Sequence, residues 1–166
     1  MIELEQELAC IAKFIIAAAG NPTPYYNEVQ EGFVRPAVYF PMPEVDTGGD
    51  TLKSYAADYA WYIKFFANTR EEAYKMAFVA LTEISQCRCL IPLYSFEGEK
   101  LRKGLRIKFP NARVIDEGAA QLTINFRSYR PYRVIEGEKM MIWTAAIASD
   151  GLIRTYTNRY NRGEAD

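Results

Sequence analysis

Chemistry in this chain would have to come from carboxylates, cysteines and basic side chains, because its 166 residues include no histidine. The commonest general base and the commonest metal ligand are therefore missing. Carboxylate-only mechanisms need paired acids at a defined separation. Asp46, Asp50 and Asp58 lie in or near the run DTGGD, where turn-forming and solvated roles are the commoner use. Cys10, Cys87 and Cys89 make neither an even secreted framework nor a zinc set, since Cys87-Arg88-Cys89 lacks a second pair. They read as reduced, structural thiols. No serine stands in a G-x-S-x-G elbow, and neither DTGGD nor EGEKLRKG matches a G-x-x-x-x-G-K-[ST] phosphate cradle or a strand-to-helix G-x-G-x-x-G. The expectation is a chain without catalytic residues, cofactor or metal.

Two stretches could instead hold a partner. EGEKLRKGLRIK, residues 97–108, carries Lys100, Arg102, Lys103, Arg106 and Lys108. As a nucleic-acid patch it would lend phosphate affinity without reading sequence, but Glu97 and Glu99 dilute it and a solvated hairpin is the commoner outcome. RSYRPYR, residues 127–133, interleaves arginine with tyrosine, a pattern that can stack on bases or anchor a protein interface. Twenty basic and twenty-one acidic side chains leave a formal net charge of −1, so no overall field draws the chain to nucleic acid or an anionic membrane. That balance favours the protein interface.

The elements that must position these residues follow from periodicity. Leu4, Leu8, Ile11, Ala12, Ile15 and Ala19 recur at helical steps and predict an amphipathic helix over 2–19, stopped by Gly20, Asn21 and Pro22. A turn-rich segment runs to Gly32, and Val38, Tyr39 and Phe40 read as a strand over 37–40. Residues 51–67 predict a long strand, with Tyr55, Ala57, Tyr59, Trp61, Ile63 and Phe65 alternating onto one buried face. Residues 46–50 would be the turn before it. Thr69 and Glu72 are spaced as a capping box for a second helix over about 70–87, with Tyr74, Ala77, Phe78, Leu81 and Ile84 as its apolar stripe. Gly104 to Phe109 and Ala120 to Ser128 alternate as two further strands, joined through Asp116-Glu117-Gly118 as an antiparallel hairpin.

Helix, two strands, helix, two or three strands is the order of an α+β fold, a mostly antiparallel sheet with both helices on one face. The length suits one domain, here residues 1–132, with 133–166 as a C-terminal extension or arm in which Met140 to Trp143 could form one short element. Hydrophobic residues at 49% and charged residues at 25% are ordinary for a folded chain. The aromatic share is 14%, with twelve tyrosines, which suits half-buried surfaces and subunit interfaces or a tyrosine-rich sheet core. No apolar run approaches the roughly 18–20 residues that cross a bilayer. The acidic opening MIELEQE is unlike a signal peptide, so folding in a cytoplasm is expected.

The segment between the first helix and first strand adds a resemblance. Tyr25-Tyr26-Asn27-Glu28-Val29-Gln30-Glu31-Gly32-Phe33, followed by Arg35-Pro36-Ala37-Val38-Tyr39-Phe40, resembles the corresponding link in tail terminator (tail completion) proteins of phages and phage-like particles of Gram-positive bacteria. Their pattern runs tyrosine, polar spacer, Q-G-F, a basic residue, proline, apolar strand. Here Glu31 intervenes between Gln30 and Gly32, while Phe33, Arg35 and Pro36 keep their order. The resemblance spans about residues 2–132.

It implies a virion protein of the tail or neck, assembled in the host bacterial cytoplasm. It would form a homo-oligomer, usually a six-membered ring, that caps the tail tube, ends elongation and offers a surface to the neck or head-completion protein. Sheath protein is a further candidate partner; a membrane and sequence-specific nucleic acid are not. No catalytic residue is carried over. Partner-facing residues would be Phe33, Arg35 and Pro36 in the link, Arg106, Lys108, Arg127 and Tyr129 on the wet faces of the long strands, and Trp143, Tyr156 and Tyr160 in the arm. In the link, Gly32 should supply a left-handed turn, Pro36 should sit where a strand begins, and Phe33 should pin the turn onto the helical layer. Other readings remain: a head-tail connector or other neck component, a small ligand-binding domain or enzyme using the aromatic strand, and a nucleic-acid module.

Overall fold

The computed structural model describes residues 4–28, 32–133, 142–149 and 152–159. Two compact units divide the chain, Met1–Tyr132 and Arg133–Asp166. The first is an α+β fold: a seven-stranded, mostly antiparallel sheet with two helices. In chain order it contains α1 (Leu4–Ala18), β1 (Thr23–Tyr26), β2 (Ala37–Phe40), β3 (Glu44–Gly49), β4 (Ser54–Phe66), α2 (Arg70–Gln86), β5 (Leu90–Tyr94), β6 (Lys100–Asp116) and β7 (Ala119–Pro131). Sheet order is β1-β2-β4-β7-β6-β5, with β3 also on β4. Only β1 and β2 run parallel.

The long alternating strand is the spine. Ala57, Tyr59, Trp61, Ile63 and Phe65 of β4 are buried, and thirteen consecutive register pairs tie β4 to β7. The register sets Tyr59 opposite Phe126 and Ile63 opposite Leu122, so both strands commit the same face to the helices. Tyr59 and Phe126 stack with ring centroids 4.7 Å apart. From α1, Ile11, Ala12 and Ile15 fill this core, and the helix ends where sequence placed its stop. Gly20 and Asn21 turn left-handed, and Asn21 N–H donates to Ile16 O over 2.9 Å.

The second helix meets the sheet through Ala77 and Ile84 of the expected stripe, but with Ala73 and Ala80 where Tyr74 and Phe78 were expected. Ala73, Ala77, Ala80 and Ile84 are buried, whereas Tyr74 and Phe78 stack on each other with half their surface in solvent. Alanines let the helix axis approach strands already filled by large side chains, so the small stripe wins over the aromatic one. Thr69 caps the helix as expected, its hydroxyl accepting from Glu72 N–H over 3.2 Å.

Three strands lie where alternation is silent. Residues 23–26, read as part of a turn-rich segment, form β1. Residues 46–49, read as a turn, belong to β3, whose six residues are all exposed and whose order comes from pairing with Tyr55 to Ala60. The turn itself is displaced to 50–53, where Thr51 Oγ1 accepts from Lys53 and Ser54 N–H. β5 contains Pro92. β6 begins and ends well beyond the expected 104–109: its first part pairs with β5, and its last part pairs with β7 beyond a bulge at Phe109, φ 47°, that shifts the register. That bulge turns Phe109 out to 82% exposure instead of into the alternating core.

In the second unit, β8 (Ile142–Ser149) and β9 (Leu152–Arg159) pair antiparallel from Ile142 with Arg159 to Ser149 with Leu152.

Candidate partner interface

The sheet face opposite the helices, here the outer face, is built by the residues that alternate with the core. On β4 and β7 the register places Asp58 opposite Arg127, Ala60 opposite Asn125 and Lys64 opposite Gln121. Asp46 of β3 pairs with Asp58, and Lys108 of β6 pairs with Asn125. Lys108, Arg127 and Tyr129 are thereby brought onto one surface. Arg106 lies further along β6, opposite Leu90.

Arg127 grips Asp58 with both arms of its guanidinium, Nε to Oδ1 at 2.7 Å and Nη2 to Oδ2 at 2.6 Å. This hydrogen bonding holds the Asp58 carboxyl below its ordinary range against the opposing effect of burial, with the charges of Arg127 and Lys108 adding to it. The guanidinium is stabilised in turn, chiefly by its bond to Asp58, and a hydrogen bond with Tyr129 adds to the effect. Side chains 38% and 46% exposed make this an orienting contact rather than a large source of stability. Beside it, Glu44, Asp46, Asp58, Lys108 and Asn125 line a polar hollow of about 170 Å³, and Tyr62 Oη donates to Glu44 Oε2 over 3.3 Å.

The link between α1 and β2 makes a second cluster. Gly32 adopts φ 80° with open space around it, and Val29, Gln30 and Glu31 lie outside the described residues. Phe33 lies 5.0 Å from Phe66, edge-on to Tyr25 at 6.1 Å, and beneath the Arg35 guanidinium at 5.2 Å. Phe66 pairs with Ala37 and points away from the core, so Phe33 pins the turn to the outer face and not to the helical layer. The reason is register: Val38 and Phe40 take the helix side and leave Ala37 and Tyr39 on the other. Arg35 Nη1 also donates to Ala67 O at 3.4 Å, where β4 ends. Pro36 directly precedes β2, and its carbonyl accepts from Thr23 N–H at 3.1 Å, fastening β1 to the sheet.

Trp143 and Tyr156 occupy β8 and β9 in the second unit; Tyr160 lies outside the described residues. Sequence reasoning treated Asp46 and Asp58 as turn or solvated acids and gave them no part in the surface. Asp58 stands on the wet positions of β4 with Ser54 and Lys64, which was visible. The strand facing it was not. Leu90 and Gly104 were also passed over: a Cβ at Gly104 would stand 2.9 Å from Leu90 Cγ, so this glycine lets a 43% exposed leucine lie across β6.

Two apolar grooves flank α1. One, of about 570 Å³, includes Cys10, Phe14, Tyr94 and Phe96; the other, of about 550 Å³, includes Leu8, Tyr26, Met42 and Trp61. Between them, α1 is fastened by polar ties. Glu7, 3% exposed, accepts from Ser128 Oγ at 2.6 Å and Arg130 Nη2 at 2.8 Å, and Tyr94 N–H donates to Cys10 Sγ at 3.3 Å. Among the described residues no group of three or more histidine, cysteine, aspartate or glutamate side chains is arranged to hold a metal.

No protein-family model matches the chain. Over 133 residues it is 29% identical to the phage-like element PBSX protein XkdJ of Bacillus subtilis (strain 168), covering 80% of this chain and 90% of XkdJ. Uncharacterized protein YqbJ of the same strain is 27% identical over 104 residues, 63% of this chain and 71% of YqbJ. A chain in the solved virion of a native gene transfer agent (GTA) particle matches with a TM-score of 0.46 and 16% identity, across 75% of this chain and 93% of its own length. Over 80% of its length, then, the chain is similar to a protein of a phage-like element.

Proposed function

We propose that this protein is a structural component of a phage or phage-like particle, and within that class a tail terminator. In this reading it forms a ring, six-membered in the family it resembles, that seats on the end of the tail tube, stops its elongation and presents a surface to the neck or head-completion protein. It performs no catalysis. The similarity to a phage-like element protein across most of both chains carries the reading, and the ordered Phe33-x-Arg35-Pro36 link of the terminator pattern narrows it.

The physical build of the first unit suits such a role. A ring subunit needs a stiff body and outward-facing edges, and the thirteen-pair ladder between β4 and β7 supplies the stiffness. The tube would meet the outer face around Lys108, Arg127 and Tyr129, and residues 133–166 would reach a neighbouring subunit, sheath or neck protein.

The test is assembly. Disrupting the gene in a particle-producing cell should give tubes of irregular, excessive length without heads, and adding purified protein to polymerising tube protein should fix tube length and leave a cap at one end in electron micrographs. Tails of normal length in the disrupted strain would refute the terminator role, and virions that lack this chain entirely would refute the structural one.

A further inference from the structure

The outer face is graded in charge along the strand order. At one end, β3 contributes Glu44 and Asp46, followed by Asp50 in the turn, all exposed. In the middle, Asp58 and Arg127 neutralise each other. At the other end β6 presents Arg102 and Arg106, both exposed. Two-residue periodicity sets Arg102 and Arg106 on the same side of β6, and Leu90 lies over Gly104 between them. None of Asp46, Asp50, Arg102 or Arg106 takes part in an ion pair among the described residues. Counter-charges are few: Lys53 lies near the acidic end and Lys108 shares the hollow with Glu44 and Asp46, and Glu97 and Glu99 precede the basic end.

We propose that copies of this protein associate head to tail through opposite ends of one sheet, the acidic β3 edge of one copy against the basic, leucine-centred outer face of β5 and β6 on the next. Among the described residues β3 carries no strand on its far side, so its backbone groups are open to a partner. Two β3 edges facing each other would bring acid against acid, which disfavours a two-fold pairing. A uniformly charged partner such as nucleic acid would be drawn to one end and repelled by the other. A second copy satisfies both ends at once, and a contact between two different surfaces repeats into a ring when its rotation closes. Leu90, 43% exposed, supplies apolar surface at the basic end. The inference rests on the ring reading for its setting and adds the surfaces that make the ring.

Charge reversal tests it. One variant carries Glu44→Lys, Asp46→Lys and Asp50→Lys; the other carries Arg102→Glu and Arg106→Glu. All five sites are exposed, and circular dichroism checks that each variant keeps its fold. Oligomer mass is read by light scattering, with and without tube protein. Each variant alone should associate at least about a hundredfold more weakly than the parent, because like charges now meet, and a one-to-one mixture should restore assembly, because every contact again pairs opposite signs. If the parent assembles and the variants assemble equally well, or the mixture fails to recover, the contact is wrong while the ring reading stands. A parent that stays monomeric even on tube protein would overturn both.

Discussion

Gly118 offers a measurable test of how the β6–β7 hairpin is closed. The residue has φ 75°, and a Cβ placed there would stand 2.9 Å from Ala67 O, while Ala67 N–H donates to Gly118 O across 3.0 Å. Gly118→Ala therefore costs twice. The left-handed backbone penalises a side chain by about 1–2 kcal/mol. Parting the methyl from the carbonyl stretches the Ala67 hydrogen bond, worth about 1 kcal/mol. Reduced freedom of the unfolded chain returns about 0.4–1 kcal/mol, leaving a net loss of about 2 kcal/mol and a fall in Tm of about 4–8 °C for a chain of this size. Gly98→Ala is the control, since Gly98 has φ 87° but open space around its missing side chain. Urea unfolding followed by circular dichroism should show Gly98→Ala losing only the backbone part. Equal losses at the two sites would refute the contact argument, and no loss at either would refute the backbone argument as well.

Removing the cap hydroxyl with Thr69→Ala should cost about 1 kcal/mol in the same unfolding assay, because Glu72 N–H loses its acceptor. Asp58 should titrate below the ordinary carboxylate range by NMR and move back towards it in Arg127→Ala. Since the folded state depresses this group, its contribution to stability is present above the unfolded carboxyl pKa and disappears as pH falls through the folded one; an unchanged titration in the variant would contradict the pairing. Arg127→Glu should leave the circular dichroism spectrum intact while impairing tube capping, and normal capping would remove Arg127 from the interface. Deleting residues 134–166 should leave the first unit folded but weaken ring formation or tube attachment, an outcome contradicted by an intact ring with full tube binding.

What the sequence could reveal followed from how each element is stabilised. β4, β7 and α1 bury one face against the core, so their apolar residues recur with the period of the element, and their extents were legible to within a few residues. Thr69 and Gly20 act locally and were equally visible. β1 and β3 have their order imposed by a neighbour's ladder and bury little, so no period marks them; Gly48 and Gly49 even suggest a turn. On α2, Ala77 and Ile84 were legible but Ala73 and Ala80 were not, because large aromatic side chains draw attention from alanine, whereas the space over a sheet rich in large side chains admits the small residue. For the interface, the chemistry of Arg127 was visible in RSYRPYR, but its meaning depended on the register that sets Asp58 opposite. Register is a long-range property: residues 69 apart in sequence meet through the β4–β7 ladder, and no local pattern encodes that pairing.

The same logic explains why Pro36, Pro41 and Pro43 surround β2. β4 is thirteen residues long, yet its edge opposite β7 is shared by two short strands, β2 against 64–66 and β3 against 55–60. Proline lacks the N–H that a continuous ladder requires, so a proline on each side of Met42 divides what would be one long edge strand into two. The Trp61 indole N–H donates to Pro41 O, fixing the point of division from the core side. β2 is then covered by β1, while β3 is left uncovered and acidic. A long apolar edge strand would pair indiscriminately with other sheets; a short, acidic, glycine-bearing one accepts a basic partner and repels its own kind. The proline-bounded lead-in thus has one physical role that joins fold to assembly: it ends the covered part of the edge and begins the part through which a second copy can be selected by charge.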